Sequence, residues 1–377
     1  MKLFIVINDY MNSSNWMCIS TQRFVGEYKK MGHQVRIVTN NRYGELDYPL
    51  DVVKVPVFSD IIEKEGYTFA KVNRQVIRKA VEWADVVHLE DPFFVCRRAG
   101  IEAKRMNKPV TGTFHLYPEN MTYAVHMGHA HLMNFWFMRL FLKSVYNRCD
   151  YINCPTEEVA KRLENYKIKS KLKVISNGID DKFLFQKRNR EFDGTLRVLS
   201  VGRYAVEKKQ KLLIEAVAKC NHRDNIQVTL AGKGPLSEKL QECAAKLGVQ
   251  VEFGFLSQEQ LREKMLESDL YVHCANVEVE GMSCMEAFAC GCVPVISNAR
   301  LSSTKDFALH KENLFQNRSA KSLAEKIDFF YEHPEKIAEQ SKEYMEYGQI
   351  QGVEICGAKM IEMMEQAISE RSTICQG

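Results

Sequence analysis

Two carboxylates, Glu278 and Glu286, stand eight residues apart in the stretch NVEVEGMSCMEAFACGCVPVIS, residues 276–297. Gly281, Met282 and Ser283 lie between them. The spacing predicts a loop that turns at Gly281, where the missing side chain permits close backbone approach and an unusual φ. A helix then starts near Met282 or Ser283. Its first turn leaves amide groups without intrahelical partners and points a positive dipole end at the turn, which makes a ready anion site. Glu278 falls in the turn and Glu286 about one turn into the helix, so both can face one cleft without sharing a helix face. A carboxylate accepts two hydrogen bonds from a vicinal diol. Two of them beside an anion site suit a ligand with a diphosphate and diols at both ends, as in a nucleotide sugar. The same spacing also suits a solvated acidic pair at a helix start.

A second group of candidates is cationic. The strand 196–201 is followed by GRYAVEKKQ, in which Gly202 ends the strand and Arg203 and Lys208 precede the next helix, with Lys209 and Lys211 nearby. Arg and Lys at a strand-to-helix turn suit a diphosphate, the first through its fork and the second as a point charge. A solvated basic loop has the same composition. The strand 228–231 leads into Gly232-Lys233-Gly234-Pro235, and the strand 250–253 into Gly254-Phe255. In the first half, His115 ends the strand KPVTGTFH, and Asp9, Glu90 and Asp91 also stand at strand ends. A lone His is more often structural, but its place at a strand end in an α/β domain makes it a site candidate. His126, His129 and His131 follow with no Cys or carboxylate to complete a metal set, so they read as loop residues and no metal site is expected.

The elements that must position these residues alternate. An apolar strand, 2–8, is followed by a helix over 22–31 ending at Gly32 and a strand over 35–39. Further strands are expected at 52–57, 86–89, 110–114, 151–155 and 172–176, with helices at 71–83 and 95–106. After a polar linker, 182–195, the alternation restarts at 196–201, and helices dominate after the strand 293–296. Strand–helix–strand repeats of this spacing predict parallel sheets, whose ligands sit at the carboxyl ends of the strands. The expected fold is α/β, with two Rossmann-like parallel-sheet domains facing a central cleft. The expected domains are 1–180, 181–352 and a C-terminal helical segment, 353–377, packing back on the first.

Size and composition bound the class. A chain of 377 residues, 45% hydrophobic and 27% charged, can build two large cores. No apolar run is long enough to span a membrane, and residues 1–7 read as a buried strand rather than a leader. Its 12 cysteines include no CxxC pair and suggest reduced thiols in a cytosol. Residues 1–180 carry 26 Lys and Arg against 19 Asp and Glu, a net +7, whereas the remainder carries 26 against 29, a net −3. A basic first half implies an anionic surface or ligand there. No recognition helix, RNP or zinc-finger pattern points to nucleic acid. HLMNFWFMRLFLKSVYNR, 131–148, is long enough for a helix, rich in aromatics, and carries Arg139, Lys143 and Arg148 without an acid. It reads either as a core helix with a basic edge or as a helix that docks on an anionic membrane surface.

GRYAVEKKQ, LAGKGPL, VEFGFLS, SDLYVH and above all EVEGMSCMEAFACGCVPVIS resemble the C-terminal domain of glycosyltransferase family 4, retaining enzymes of the GT-B fold. TFH at His115 resembles its first-domain His motif, and VISNGID its inter-domain segment. The resemblance covers nearly the whole chain. It implies that Arg203 and Lys208 hold the donor diphosphate, that Glu286 binds the ribose hydroxyls, and that Glu278 with the amides around Gly281–Ser283 holds the transferred sugar and phosphate. It also implies that His115 contacts the sugar near its anomeric carbon and that Phe255 flanks the base. Gly202 and Gly232 belong to the donor side. Such families transfer without a metal. The chain departs from the pattern in three places: DYMNSSNWMC replaces a Gly-rich turn, with Ser13, Ser14 and Asn15 as substitutes; Lys209 stands where Gly is common; and Lys233 replaces a frequent acid.

The chain is also similar to bacterial diacylglycerol and ceramide α-glycosyltransferases. That similarity implies a UDP-sugar, galactose or glucose, as donor and a membrane lipid as acceptor, with Glu90, Asp91 and Glu119 as candidate acceptor contacts. The protein would then be cytoplasmic and peripheral on the inner face of the membrane. Alternatives are a cell-surface glycan or polyprenyl-linked acceptor, and a non-catalytic nucleotide-sugar-binding protein. A phosphorylase-like enzyme would need a cofactor lysine environment that the sequence does not offer.

Overall fold

Apolar runs buried on both faces form the middle of each sheet. In the computed structural model, Lys2–Val6 (β1) is buried from its second residue onward, as a central parallel strand requires. Gln34–Asn40 (β2), Tyr48–Leu50 (β3), Val86–Leu89 (β4), Val110–Thr113 (β5), Tyr151–Cys154 (β6) and Lys171–Val174 (β7) complete a seven-stranded sheet. Its order is β3-β2-β1-β4-β5-β6-β7, and every pairing is parallel. A second, six-stranded parallel sheet comprises Leu196–Val201 (β8), Ile226–Ala231 (β9), Val251–Gly254 (β10), Leu270–His273 (β11), Val293–Ser297 (β12) and Leu314–Phe315 (β13). Its order is β10-β9-β8-β11-β12-β13. Both orders reverse direction beside the first strand, so each sheet is doubly wound with a switch point next to that strand. The structure describes all residues except 13–14, 43–45, 55–66, 125–126, 128–129, 189 and 375–377.

The chain divides into two compact units, 1–178 with 353–377, and 179–352. The first boundary falls at 178/179 rather than 180/181, because Ile179 belongs with the second unit. Its amide donates to the Gln351 carbonyl at 2.8 Å, and its side chain packs with Phe183, Leu184 and Phe288. The last helix, Val353–Ile374, returns to the first unit, where Cys356, Met360 and Met364 pack with Leu3, Ile5 and Phe24. In the second unit, Leu196, Val198, Leu213 and Phe330 fill one side of the sheet, and Leu199, Tyr271, Phe288 and Tyr344 the other.

Three expected elements differ, the first being the helix expected over 22–31, which runs Trp16–Lys30 from its Asn15 cap. The edge strand of the first sheet is Tyr48–Leu50, while Val52–Val53 pairs antiparallel with Phe69–Ala70 as a separate ribbon. The rest of the expected strand 52–57 lies largely outside the described residues. The aromatic helix runs His131–Ser144 and breaks at Val145, leaving Tyr146–Arg148 as a 3-10 turn. Among the described residues, no helix is long and apolar enough to cross a membrane.

Candidate active site

The second unit gathers its site at the carboxyl ends of β8 and β11, which are hydrogen-bonded neighbours. The loop after β8 carries Arg203 and Lys208; the loop after β11 carries Glu278. The two loops are tied by the Asn276 amide, which donates to the Glu207 carbonyl at 2.8 Å. Val277–Glu278 also pairs in parallel with Leu301–Ser302, which fixes the backbone at Glu278.

Gly281 then turns the chain with φ +78°, and a Cβ there would collide with the Thr304 side chain. This contact excludes any other residue, since both the conformation and the space require glycine. The helix Met282–Ala289 follows, buried along its whole length. Its N-cap offers no side-chain hydrogen bond, and the Met282 and Ser283 amides lie ahead of any intrahelical carbonyl. The Ser283 hydroxyl is spoken for by Tyr271 at 2.7 Å. Met282 and Ser283 thus offer the site their backbone rather than a side-chain hydroxyl.

Lys208 Nζ is ion-paired with Glu278 Oε2, and His273 Nε2 lies 3.5 Å from the same oxygen. Burial alone would raise the Glu278 carboxyl. The Lys208 cation and then His273 outweigh burial and hold the group below the usual carboxylate range. His273, buried at the end of β11, is pushed down to about 4, first by burial and further by Lys208, with Glu278 opposing. It is therefore a neutral imidazole at neutral pH. Arg203 Nη2 bonds Glu207 Oε1 at 3.0 Å, and Gln210 Nε2 holds the Arg203 carbonyl at 2.8 Å. These contacts leave Arg203 about one-third exposed at the strand end.

Lys209 adopts left-handed geometry, φ +56°, at the N-cap of the helix Gln210–Val217. That geometry is why glycine suits the position; the lysine beside Glu278 is Lys208. Glu286 lies deeper on the helix, 1% exposed. Gly202 and Gly232 follow the adjacent strands β8 and β9, and a Cβ on Gly232 would strike the Gly202 carbonyl. Phe255, beyond β10, is 62% exposed, and Lys233 Nζ sits 4.8 Å from its ring centre.

The first unit holds His115 in a polar ladder. β4 and β5 pair with His88 opposite Thr111, and the two-residue strand period puts His88 and Glu90 beside Thr111, Thr113 and His115. His115 Nε2 meets Glu90 Oε2 at 2.9 Å. His88 bridges the Thr111 and Thr113 hydroxyls at 2.8 and 3.0 Å, and its Nε2 lies 3.7 Å from Glu90. Burial favours a neutral Glu90, but His88 and His115 more than offset it and hold the carboxyl well below its ordinary range.

Three other acids of this unit are tied to their neighbours. Asp91 is fully buried, accepts from the Asn8 amide and side chain at 2.8 and 2.7 Å and from the Phe93 amide at 3.1 Å, and so anchors β1 to the loop after β4. Glu119 is ion-paired with Arg162 at 2.5 Å. Asp9 is enclosed beside Asn12. Among the described residues, Asp9 Oδ1 and Glu119 Oε2 are buried without a hydrogen-bond partner. Asn15 caps the helix Trp16–Lys30 by accepting from the Met17 amide, which occupies the side chain expected to replace a glycine-rich turn. Ser13, Ser14, His126 and His129 lie outside the described residues, and His131 is exposed at the start of its helix. Sequence reading missed His88 and His273. Both end or nearly end an apolar strand, and the strand-end rule applied to His115 would have singled out His273.

Known proteins resolve the family. Residues 19–183 match the model of Glycosyltransferase Family 4, and residues 181–349 match that of Glycosyl transferases group 1. The chain belongs to these group 1/family 4 glycosyltransferases. Among curated relatives of this glycosyltransferase is the alpha-monoglucosyldiacylglycerol synthase of Streptococcus pneumoniae, 24% identical over 324 residues, 79% of this chain and 71% of that one. Another is the GDP-mannose-dependent alpha-mannosyltransferase of Corynebacterium glutamicum, 25% identical over 313 residues, 78% of this chain and 72% of that one. The solved structure of sucrose-phosphate synthase from Thermosynechococcus elongatus shares the fold, with a TM-score of 0.74 at 15% identity over 98% of this chain and all of that one.

Proposed function

We propose that this glycosyltransferase moves a hexose, galactose or glucose, from a UDP-sugar to a membrane lipid, ceramide or diacylglycerol, with retention, giving an α-glycolipid. The observation that carries the reading is the convergence of Arg203, Lys208, Glu278 and the uncapped start of the helix Met282–Ala289 at neighbouring strand ends. A donor diphosphate takes Lys208 from Glu278 and lies against the Met282 and Ser283 amides. Glu278 is then available to a sugar hydroxyl, Glu286 binds the ribose diol, and Phe255 flanks the base. His115 contacts a hydroxyl of the transferred sugar. The acceptor hydroxyl attacks from the face that the diphosphate leaves, and a diphosphate oxygen takes its proton, so no protein base is needed. Arg203, Lys208 and the helix start absorb the departing charge in place of a metal.

The lipid acceptor rests on two supports. One is the similarity to a glucosyldiacylglycerol synthase. The other is the outer row of the helix His131–Ser144, where Leu132, Phe135, Trp136 and Leu140 are exposed beside Arg139 and Lys143. Such a row suits peripheral attachment to an anionic, cytoplasm-facing membrane surface. The donor base is the more open choice, since the mannosyltransferase relative is described as GDP-mannose-dependent.

The test is transfer from labelled UDP- and GDP-hexoses to vesicles containing ceramide or diacylglycerol, with the anomeric centre of the product read by NMR. An α-linked glycolipid is expected. Label appearing only on a soluble or polyprenyl-linked glycan would replace the lipid acceptor, and donor binding without turnover would make the protein a sensor.

A further inference from the structure

Glu90 is a buried carboxylate whose polar neighbours are two imidazoles, His115 at 2.9 Å and His88 at 3.7 Å. An ionised carboxylate only accepts hydrogen bonds. The proton shared between Glu90 Oε2 and His115 Nε2 must therefore sit on the nitrogen. In neutral His115 that fixes the other ring atom, Nδ1, as a bare acceptor. Among the described residues, His115 Nδ1 has no hydrogen-bond partner. Glu90 itself is tied into the sheet, because its own amide donates to the Val6 carbonyl at 3.0 Å. His88 is locked behind it by the two threonine hydroxyls on β5. The ring of His115 is thus oriented from a rigid base and not from a mobile loop.

We propose that Glu90 is a positioning residue, holding His115 in the Nε2–H form so that Nδ1 accepts a hydrogen bond from a hydroxyl of the substrate, with His88 fixing Glu90 from behind. The proposal rests on the reading above in which His115 touches the transferred sugar. It adds that the contact is one of acceptance: the substrate hydroxyl donates and the imidazole receives. The alternative form, with the proton on Nδ1, would set two acceptors, Nε2 and a carboxylate oxygen, against each other 2.9 Å apart. It would also turn a donor toward the ligand. The orienting carboxylate therefore selects between two opposite polarities of one contact, as a third group orients the base in nucleophile–base pairs.

The direct test is heteronuclear NMR of the imidazole nitrogens in the full-length protein at mildly alkaline pH, with His115 assigned by its loss in His115→Ala. The wild-type ring is expected as a single Nε2–H form. In Glu90→Gln, whose amide can donate as well as accept, the two forms are expected to mix. Its kcat is expected to fall roughly tenfold to 10³-fold, with donor KM within about twofold, and Glu90→Asp is expected to recover part of the loss. A wild-type ring protonated on Nδ1, or a folded Glu90→Gln enzyme with unchanged kcat, would overturn the proposal. Should Glu90→Gln not fold, the wild-type ring measurement decides alone. Full activity in His115→Ala would remove the role of His115 in the reading above while leaving the tautomer result standing.

Discussion

The two units each set a carboxylate beside a strand-borne histidine, Glu90 buried and Glu278 17% exposed, and they surround it differently. Glu278 is balanced by Lys208, a permanent cation, with His273 held neutral next to it. Glu90 is balanced by two imidazoles and shows no lysine or arginine partner among the described residues. Both carboxyls are held below their ordinary range, so charge alone does not distinguish them. The partner does. A lysine can be surrendered to an arriving phosphate at no change in protonation, which suits the binding and release of a diphosphate. An imidazole offers one nitrogen to the carboxylate and keeps the other for a ligand, which suits the orientation of a hydroxyl. On the proposed reading, the second unit manages anionic charge and the first manages hydrogen-bond polarity.

The sharpest way to break this comparison is to remove a cation of the second unit's site. Arg203→Ala should lower kcat by about 10²–10³, because it deletes positive charge aimed at the departing diphosphate. Near-normal turnover would remove the second unit from charge stabilisation. On the same ground, activity should be unchanged after exhaustive treatment with EDTA, and a loss restored by Mg²⁺ or Mn²⁺ would transfer that role to a metal.

A second experiment uses His273. Its native pKa, about 4, lies below the ordinary value of 6.5, so between those pH values the unfolded chain binds a proton that the native protein refuses. Stability is complete above about pH 6.5 and declines as pH falls toward 4, by up to about 3 kcal/mol. His273→Leu should flatten that part of the profile measured by urea unfolding. The same slope in wild type and variant would show that His273 is not held neutral.

The smallest effect concerns the surface of the first unit. Trp136→Glu on the exposed row should reduce pelleting with anionic vesicles several-fold at low salt. It should change unfolding free energy by no more than about 0.5 kcal/mol, because the ring is 67% exposed. Unaltered pelleting would move membrane contact elsewhere.

Much of the architecture was legible because both sheets are parallel and doubly covered. Their central strands therefore read as continuous apolar runs bounded by helices, and the restart at Leu196 marks a second copy of the pattern. Tyr48–Leu50 was not legible, since a three-residue edge strand containing Pro49 leaves no run to detect, while the stronger apolar signal of 52–57 lies next to it. The turn at Gly281 and the helix start at Met282 followed from spacing, but the role of each acid did not. Glu90, Asp91 and Glu119 look alike in sequence. Only the fold reveals that Asp91 is held by Asn8 and that Glu119 pairs through one oxygen with Arg162, whereas Glu90 backs His115. His88 stayed hidden because it sits inside an apolar strand, where a histidine reads as part of the core, whereas His273 ends its strand and was open to the rule applied to His115. Spacing also does not tell which of Lys208 and Lys209 pairs with Glu278; in the fold it is Lys208, while Lys209 takes a left-handed φ of +56°.

The central claim is that cations and free amides at the ends of β8 and β11 grip a nucleotide's diphosphate. Calorimetric titration of the full-length protein with UDP and with uridine, before and after Lys208→Met, tests it most directly. The account predicts that wild type prefers UDP over uridine by roughly 10²-fold or more, as two or more charge-assisted bonds would give, and that Lys208→Met loses most of that preference while uridine binding is unchanged. UDP affinity untouched by Lys208→Met, or equal affinity for UDP and uridine in the wild type, would contradict it.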